Sequence, residues 1–204
     1  MQIIVLTGGL GSGKSTAAEY LRTKGATVIS LDDVAARLAT PGSPLLERLA
    51  QAFGEDVLAA DGSLDRGELA RRGFADQDAA SQLNAIVHPA VAAEVGPAIS
   101  DLRLLPFPPV AVVLEVPLLV EAPVFAELAD EVLAISAPAD VRIARAVARG
   151  MDGRDAQARI GCQASDADRE ALASFVINNG GSVEHLFEEL DRFWAQRVEP
   201  VATP

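Results

Sequence analysis

The stretch Gly8-Gly9-Leu10-Gly11-Ser12-Gly13-Lys14-Ser15 lies between the apolar run Ile3-Ile4-Val5-Leu6 and an amphipathic segment that opens at Lys14. No other part of the chain narrows its possible folds as far. The run fits GxxxxGK[ST], placed directly after a strand and opening a helix, the context that this pattern requires. Glycines let backbone amides converge on phosphate oxygens where side chains would obstruct them, and the helix start adds the positive end of its dipole. On this reading Gly9, Gly11, Ser12, Gly13 and Thr16 line a cradle for a nucleoside triphosphate. Lys14 reaches the β- and γ-phosphates, and the Ser15 hydroxyl is a magnesium ligand. A glycine turn without a ligand is the competing reading. The GxGxxG spacing of a dinucleotide site is not met.

Around the cradle, short apolar runs alternate with longer helical patterns, which predicts an α/β fold with a parallel sheet covered by helices. Ile3–Thr7 and Thr27–Ser30 read as strands, with a helix from about Lys14 to Lys24 between them. From Leu31 to about Leu105 only helical patterns occur, broken at Thr40–Pro44, Ala60–Arg66 and His88-Pro89. That gap far exceeds an ordinary connection. It reads as a helical insertion that holds a substrate, or else as a helical layer with no such role. Strand character returns at Val110–Val116 and Glu131–Ser136, both nearly continuous aliphatic runs as expected of strands buried on both faces. Helices follow at Ala137–Gly150 and Asp152–Gln163, then a short strand within Ser174–Gly181 and a closing helix from Ser182 to about Arg197. Only the Pro-containing tail reads as disordered.

Length and charge set the remaining bounds. The 204 residues suit a single domain, and the net charge of −12 argues against broad nucleic-acid binding or docking on an anionic membrane. Any anion site must therefore be locally basic. The single cysteine, Cys162, excludes an intrachain disulfide and a cysteine-cluster zinc site. Met1-Gln2 runs straight into the first strand, so no signal peptide is expected. The most apolar stretch, Val110–Val120, is too short to span a membrane and carries Glu115 and Pro117. These features predict a soluble, cytoplasmic protein.

A phosphate cradle alone does not name an activity. The NKxD and DxxG patterns of a GTPase switch are absent, as is the LSGGQ signature of transporter ATPases. A helical insertion and a late Arg-bearing segment fit a small-molecule kinase, in which arginines neutralise charge on the moving phosphoryl group. The order of segments then resembles the dephospho-coenzyme A kinase family from Ile4 to about Gly181. The matching pieces are LTGGLGSGKST, SLDDVAARL, Pro41-Gly42, FGEDVLAADGSLDR (Phe53–Arg66) and LNAIVHP (Leu83–Pro89). EVPLLVE (Glu115–Glu121), the Arg-rich helix, RIGCQAS (Arg159–Ser165) and VINNGG (Val176–Gly181) complete the series.

The resemblance implies a P-loop kinase with a five-stranded parallel sheet flanked by helices, a helical substrate-binding insertion and a short lid. It places the core at about 1–31 and 106–204, the insertion at about 32–105 and the lid at about 146–165 of one domain. The implied reaction passes the γ-phosphoryl group of ATP, with magnesium, to the ribose 3′-hydroxyl of dephospho-coenzyme A. The alternatives are another small-molecule P-loop kinase, acting on a nucleoside or nucleotide, and a noncatalytic nucleotide-binding regulator. The oligomeric state is not legible.

Several residues take roles on this resemblance. Asp32 matches the catalytic acid that orients and deprotonates the acceptor hydroxyl; its competing role is to cap the next helix, which Asp33 can also do. Relatives mostly carry Asp-x-Asp where this chain has Ser30-Leu31-Asp32, and an Arg or His where it has Ala36, so either auxiliary contacts come from elsewhere, such as Asp33 and Arg37, or affinity differs. Glu115 stands where relatives mostly show Asp, as the acid that positions magnesium, or else as a strand-end carboxylate paired with an arginine. Arg142, Arg145 and Arg149 recur at helical spacing, forming with Arg154 and Arg159 the dense basic cluster of an acidic chain. Arg145 matches the arginine that meets the transferring phosphoryl group, and Arg149 the nucleotide; a solvated helix face is the other reading. Arg66, His88, Pro117 and Leu118 are the remaining substrate-binding candidates, and Asn178 and Gly180 the adenine contacts. A purely structural His88, an Arg66 paired with Asp65 or Asp61, and a simple turn at Asn178–Gly180 compete with these.

Overall fold

Strand β1 (Gln2–Thr7) is an unbroken aliphatic run with Ile4, Val5 and Leu6 fully buried, so it can only be a central strand. In the computed structural model, which describes residues 1–199, it is one. The Pro-containing tail lies outside the described residues. β1 pairs in parallel with β3 (Ala111–Glu115) on one side and β4 (Glu131–Ser136) on the other. β2 (Thr27–Ser30) and β5 (Phe175–Asn178) complete a five-stranded parallel sheet in the order β2-β3-β1-β4-β5. The register sets Leu6 beside Glu115, Thr7 beside Ala134, and Ser136 beside Asn178. The ends of β1, β3 and β5 thus emerge along the carboxyl edge, where parallel sheets bind ligands.

The chain forms two compact units. The first joins Met1–Ser30 to the chain from Leu102 onward and contains the whole sheet. Against one face pack α1 (Lys14–Thr23), through Ala17, Ala18 and Leu21, and α9 (Val183–Phe193), through Leu186, Leu190 and Phe193. Tyr20 of α1 stacks on Phe187 of α9 at 4.2 Å between ring centroids and donates to Asp191 at 2.9 Å. α9 ends in a π-helical turn at Trp194–Val198 that keeps Trp194 in the same core. α6 (Ala139–Ala148), α7 (Gly153–Cys162) and α8 (Asp166–Leu172) lie between β4 and β5 in the chain. The sequence reading has no counterpart for α8, which spans only seven residues. Its start was nonetheless written locally: Ser165 and Asp168 form a reciprocal capping box.

The second unit, Leu31–Asp101, is helical: α2 (Leu31–Leu38), α3 (Pro44–Phe53), α4 (Arg66–Gly73) and most of α5 (Gln77–Arg103). Its core gathers Leu45, Leu49, Phe53, Val57, Leu83 and Ile86. Arg72 ties α4 to the end of α3, donating to the Phe53 carbonyl at 2.7 Å and to Asp56 at 2.6 Å. Arg71 and Arg72 together hold the Glu68 carboxyl down to about 2.

The expected break at His88-Pro89 does not occur. α5 runs on for 27 residues with Pro89 and Pro97 inside it. An interior proline costs about 3 kcal/mol, whereas burying an aliphatic side chain contributes about 1.5–3 kcal/mol. Leu83, Ile86, Val91, Val95 and Ile99 are all buried along α5, and that sum outweighs two prolines. His88 is therefore a half-buried mid-helix residue rather than the end of a helix.

Phe193 is fully buried and meets Phe175 edge-on at 5.3 Å between centroids. Phe193→Ala should lower unfolding free energy by about 3–5 kcal/mol, read from the midpoint shift in urea denaturation.

Candidate active site

Gly13 begins the site. It precedes α1 with φ 100°, a left-handed conformation, and a Cβ there would overlap the side-chain nitrogen of Asn179. No side chain caps this helix start, and the first intrahelical bond runs from Ala17 N–H to the Gly13 carbonyl at 3.0 Å. The amides of Lys14, Ser15 and Thr16 consequently have no intrahelical acceptor. Such a start is a ready anion site, because unpaired N–H groups and the helix dipole act together.

Three side chains meet beside these amides. Lys14 Nζ donates to Glu115 Oε1 at 2.6 Å, and Ser15 Oγ donates to the same oxygen at 3.1 Å. Glu115 is the last residue of β3, level with Leu6 of β1, so the sheet register delivers it to the cradle. The ammonium, mostly buried at 13% side-chain exposure, has its charge balanced by this carboxylate. Two oxygens at 3.1 Å also suit an octahedral cation, whose adjacent ligands at about 2.1 Å lie about 3 Å apart. Glu115 had two readings, metal acid or ion-pair partner of an arginine; the partner here is Lys14.

The far wall comes from the turn after β5. Asn179 is buried and donates from Nδ2 to the Ser12 carbonyl at 2.7 Å. Its own N–H donates to the Ser136 carbonyl at 2.7 Å. Arg145, in α6, donates to the carbonyls of Asn179 at 2.9 Å and Gly181 at 3.3 Å, which stiffens the turn carrying that asparagine. Asn178 closes the turn locally by accepting from Gly180 N–H at 3.0 Å. Thr7 Oγ1 and Ser12 Oγ are buried with no hydrogen-bond partner among the described residues.

The basic cluster separates into unlike environments. Arg142 is buried, Arg145 half-buried, and Arg149, Arg154 and Arg159 are exposed. Arg142, to which the sequence pattern gives no role beyond the cluster, donates from Nε to the Leu10 carbonyl at 2.9 Å and grips Asp166 at 2.9 and 3.1 Å. Gln163, assigned no role from sequence, accepts from Leu10 N–H at 3.0 Å. The RIGCQAS segment was the available signal, since it places a polar side chain just past α7. Pro117 and Leu118 form a half-buried turn after β3.

Asp32, Arg66 and His88 belong to the helical unit. Asp32 and Asp33 are exposed in the first turn of α2, inside the helix, where carboxylates favour its dipole. Asp65 caps α4 by accepting from Glu68 N–H at 2.9 Å, and Asp61 accepts from Ser63 at 2.6 and 3.0 Å. Arg66 is exposed at the start of α4.

A family profile described as dephospho-CoA kinase matches residues 2–185, a span that includes every residue of this site. The chain belongs to the dephospho-CoA kinase family. It is therefore a kinase, with the P-loop kinase fold. Dephospho-CoA kinase from Corynebacterium diphtheriae is 43% identical over 98% of this chain and 100% of its own length. That from Leifsonia xyli subsp. xyli is 43% identical over 96% and 98%. Among solved structures, a Thermus thermophilus protein superposes with a TM-score of 0.78 at 36% identity, covering 96% of this chain and 97% of its own. Dephospho-CoA kinase from Campylobacter jejuni shares the fold at a TM-score of 0.68 and 22% identity, covering 97% of both chains. Shikimate kinase from Acinetobacter baumannii shares it at 0.56 and 11%, covering 100% and 96%. In this dephospho-CoA kinase family member the described residues include no cluster of three or more His, Cys, Asp or Glu suited to hold a metal. No helix among them is long and apolar enough to cross a membrane.

Asn179→Ala would leave the Ser12 carbonyl without its donor. The variant should lose about 1–3 kcal/mol of stability, measured by thermal unfolding, and bind nucleotide more weakly in equilibrium titration.

Proposed function

We propose that this kinase transfers the γ-phosphoryl group of ATP to the ribose 3′-hydroxyl of dephospho-coenzyme A, giving coenzyme A and ADP in the cytoplasm. The observation that carries the phosphoryl-transfer reading is the meeting of Lys14, Ser15 and Glu115 beside an uncapped helix start. The family relationship supplies the acceptor.

Gly9, Gly11, Ser12 and Gly13 line the cradle, the amides of Lys14, Ser15 and Thr16 donate to the triphosphate, and Lys14 leaves Glu115 for the β- and γ-phosphates. Ser15 and Glu115 would hold magnesium. Bound there, magnesium neutralises charge building between the β- and γ-phosphates. Asp32 accepts the proton of the ribose hydroxyl as its oxygen bonds to the γ-phosphorus and the bond to ADP breaks. Arg145 uses two N–H groups on carbonyls, so the rest of its five donors remain for the phosphoryl group. Arg149 adds charge near the nucleotide, and the turn at Asn178 and Gly180 receives adenine. Arg66, His88, Pro117 and Leu118 contact the acceptor. The helical residues of about 32–105 form its binding region, and those of about 146–165 a lid.

A coupled assay for ADP tests the acceptor: turnover with dephospho-coenzyme A is expected. Turnover with a nucleoside monophosphate and none with dephospho-coenzyme A would overturn the reading, as would ATP binding with no acceptor-dependent turnover at all. Asp32→Asn should reduce kcat by about 10²–10⁴-fold while the Kd for ATP changes little. A near-normal kcat would remove the proposed base.

A further inference from the structure

We propose that Gln163 and Arg142 are positioning residues that clamp the two peptides flanking Leu10 in the phosphate cradle, and so set its affinity for ATP. The inference rests on the kinase reading above and adds two residues to it.

Leu10 sits in the middle of the cradle, and both of its backbone polar groups are held from outside the loop. Its N–H donates to Gln163 Oε1 at 3.0 Å, and its carbonyl accepts from Arg142 Nε at 2.9 Å. The two holders also touch each other, Arg142 donating to the same Gln163 oxygen at 3.4 Å. Arg142 is 4% exposed and fills space beneath the loop, since a Cβ on Gly9 would overlap its guanidinium and a Cβ on Gly11 its carbonyl. The N–H lies in the Gly9–Leu10 peptide plane and the carbonyl in the Leu10–Gly11 plane, so neither plane flanking Leu10 can rotate without breaking a hydrogen bond. The neighbouring amides are thereby held ready for phosphate before it arrives, the condition under which fixed donors bind most strongly.

The holders are themselves anchored. Asp166 accepts from Arg142 and, at 2.7 Å, from Arg169, which is only 2% exposed. Two buried guanidiniums thus share the Asp166 carboxylate, and burial lowers the pKa of Arg169 against the opposing pull of Asp166 and Glu121. Gln163 directly follows α7 as its C-cap, and Ser165 caps α8 two residues later. Between them Ala164 N–H donates to Glu121 at 3.4 Å. The clamp is therefore built into the connection between two helices.

Arg142 variants would lose buried packing as well as the clamp, so the decisive substitutions are at half-buried Gln163. This side chain acts on Leu10 through a single acceptor oxygen. Gln163→Met keeps its length and removes the acceptor, whereas Gln163→Glu keeps the acceptor. Gln163→Met should raise both the Kd and the KM for ATP about tenfold, the worth of one buried hydrogen bond, with the KM for dephospho-coenzyme A within twofold of wild type. Gln163→Glu should recover most of that loss. An ATP Kd within twofold of wild type in Gln163→Met, an equal rise in both KM values, or a Gln163→Glu as impaired as Gln163→Met would each overturn the clamp. The ATP titration needs no acceptor, so failure of the clamp reads separately from failure of the wild-type enzyme to phosphorylate dephospho-coenzyme A.

Discussion

The start of α1 is left without a cap, and the sheet-bearing unit is organised around that deficit. Helix starts ordinarily satisfy one or two of their free amides with a Ser, Thr, Asp or Asn side chain. Elsewhere this chain does so: Ser43, Asp65, Asp152, Ser165 and Ser182 each cap a helix. At α1 the position is Gly13, whose missing side chain leaves the amides of Lys14, Ser15 and Thr16 to a ligand. α6, which starts after Pro138, also lacks a side-chain cap, but only at α1 do a lysine, a serine and a carboxylate meet beside the free amides.

Everything near that end compensates for it or exploits it. Asn179 holds the Ser12 carbonyl, Arg145 holds the turn that carries Asn179, and Glu115 balances the charge of Lys14. The order β2-β3-β1-β4-β5 sets the cradle strand between the strand ending in Glu115 and the one leading to the arginine helix. Four segments far apart in the chain thus converge on one peptide loop. In an acidic chain the loop gathers Lys14, Arg142 and Arg169, and each of these cations faces a carboxylate of Glu115, Asp166 or Glu121. Strong local donors outweigh a distant diffuse charge because solvent and salt screen the latter within about 10 Å.

Much of the scaffold was legible from local pattern. β4 occupies Glu131–Ser136 and β2 Thr27–Ser30, as read, because continuous β-branched and aliphatic runs between turn signals leave few other options. The two features that escaped are instructive for different reasons. α8 was missed because seven residues hold too little periodicity, although its Ser165–Asp168 capping box was on display. α5 was broken at Pro89 because a local rule, the cost of interior proline, was applied without the burial of Val91, Val95 and Ile99 that overrides it.

By itself the sequence determined the phosphate cradle, since that motif is contiguous and its function depends on backbone geometry that glycine spacing dictates. It also determined the alternation of strands and helices, each a property of a short window. Which of several similar arginines would lose its water and which would stay exposed was decided only in three dimensions. Arg142 and Arg145 lie on α6 and Arg149 at its C-cap, all at helical spacing, yet Arg142 alone of the three is buried, against a loop more than a hundred residues away in the chain. Helical spacing specifies direction around an axis; what stands in that direction is set by the register of strands and the packing of distant segments, and no local window contains it.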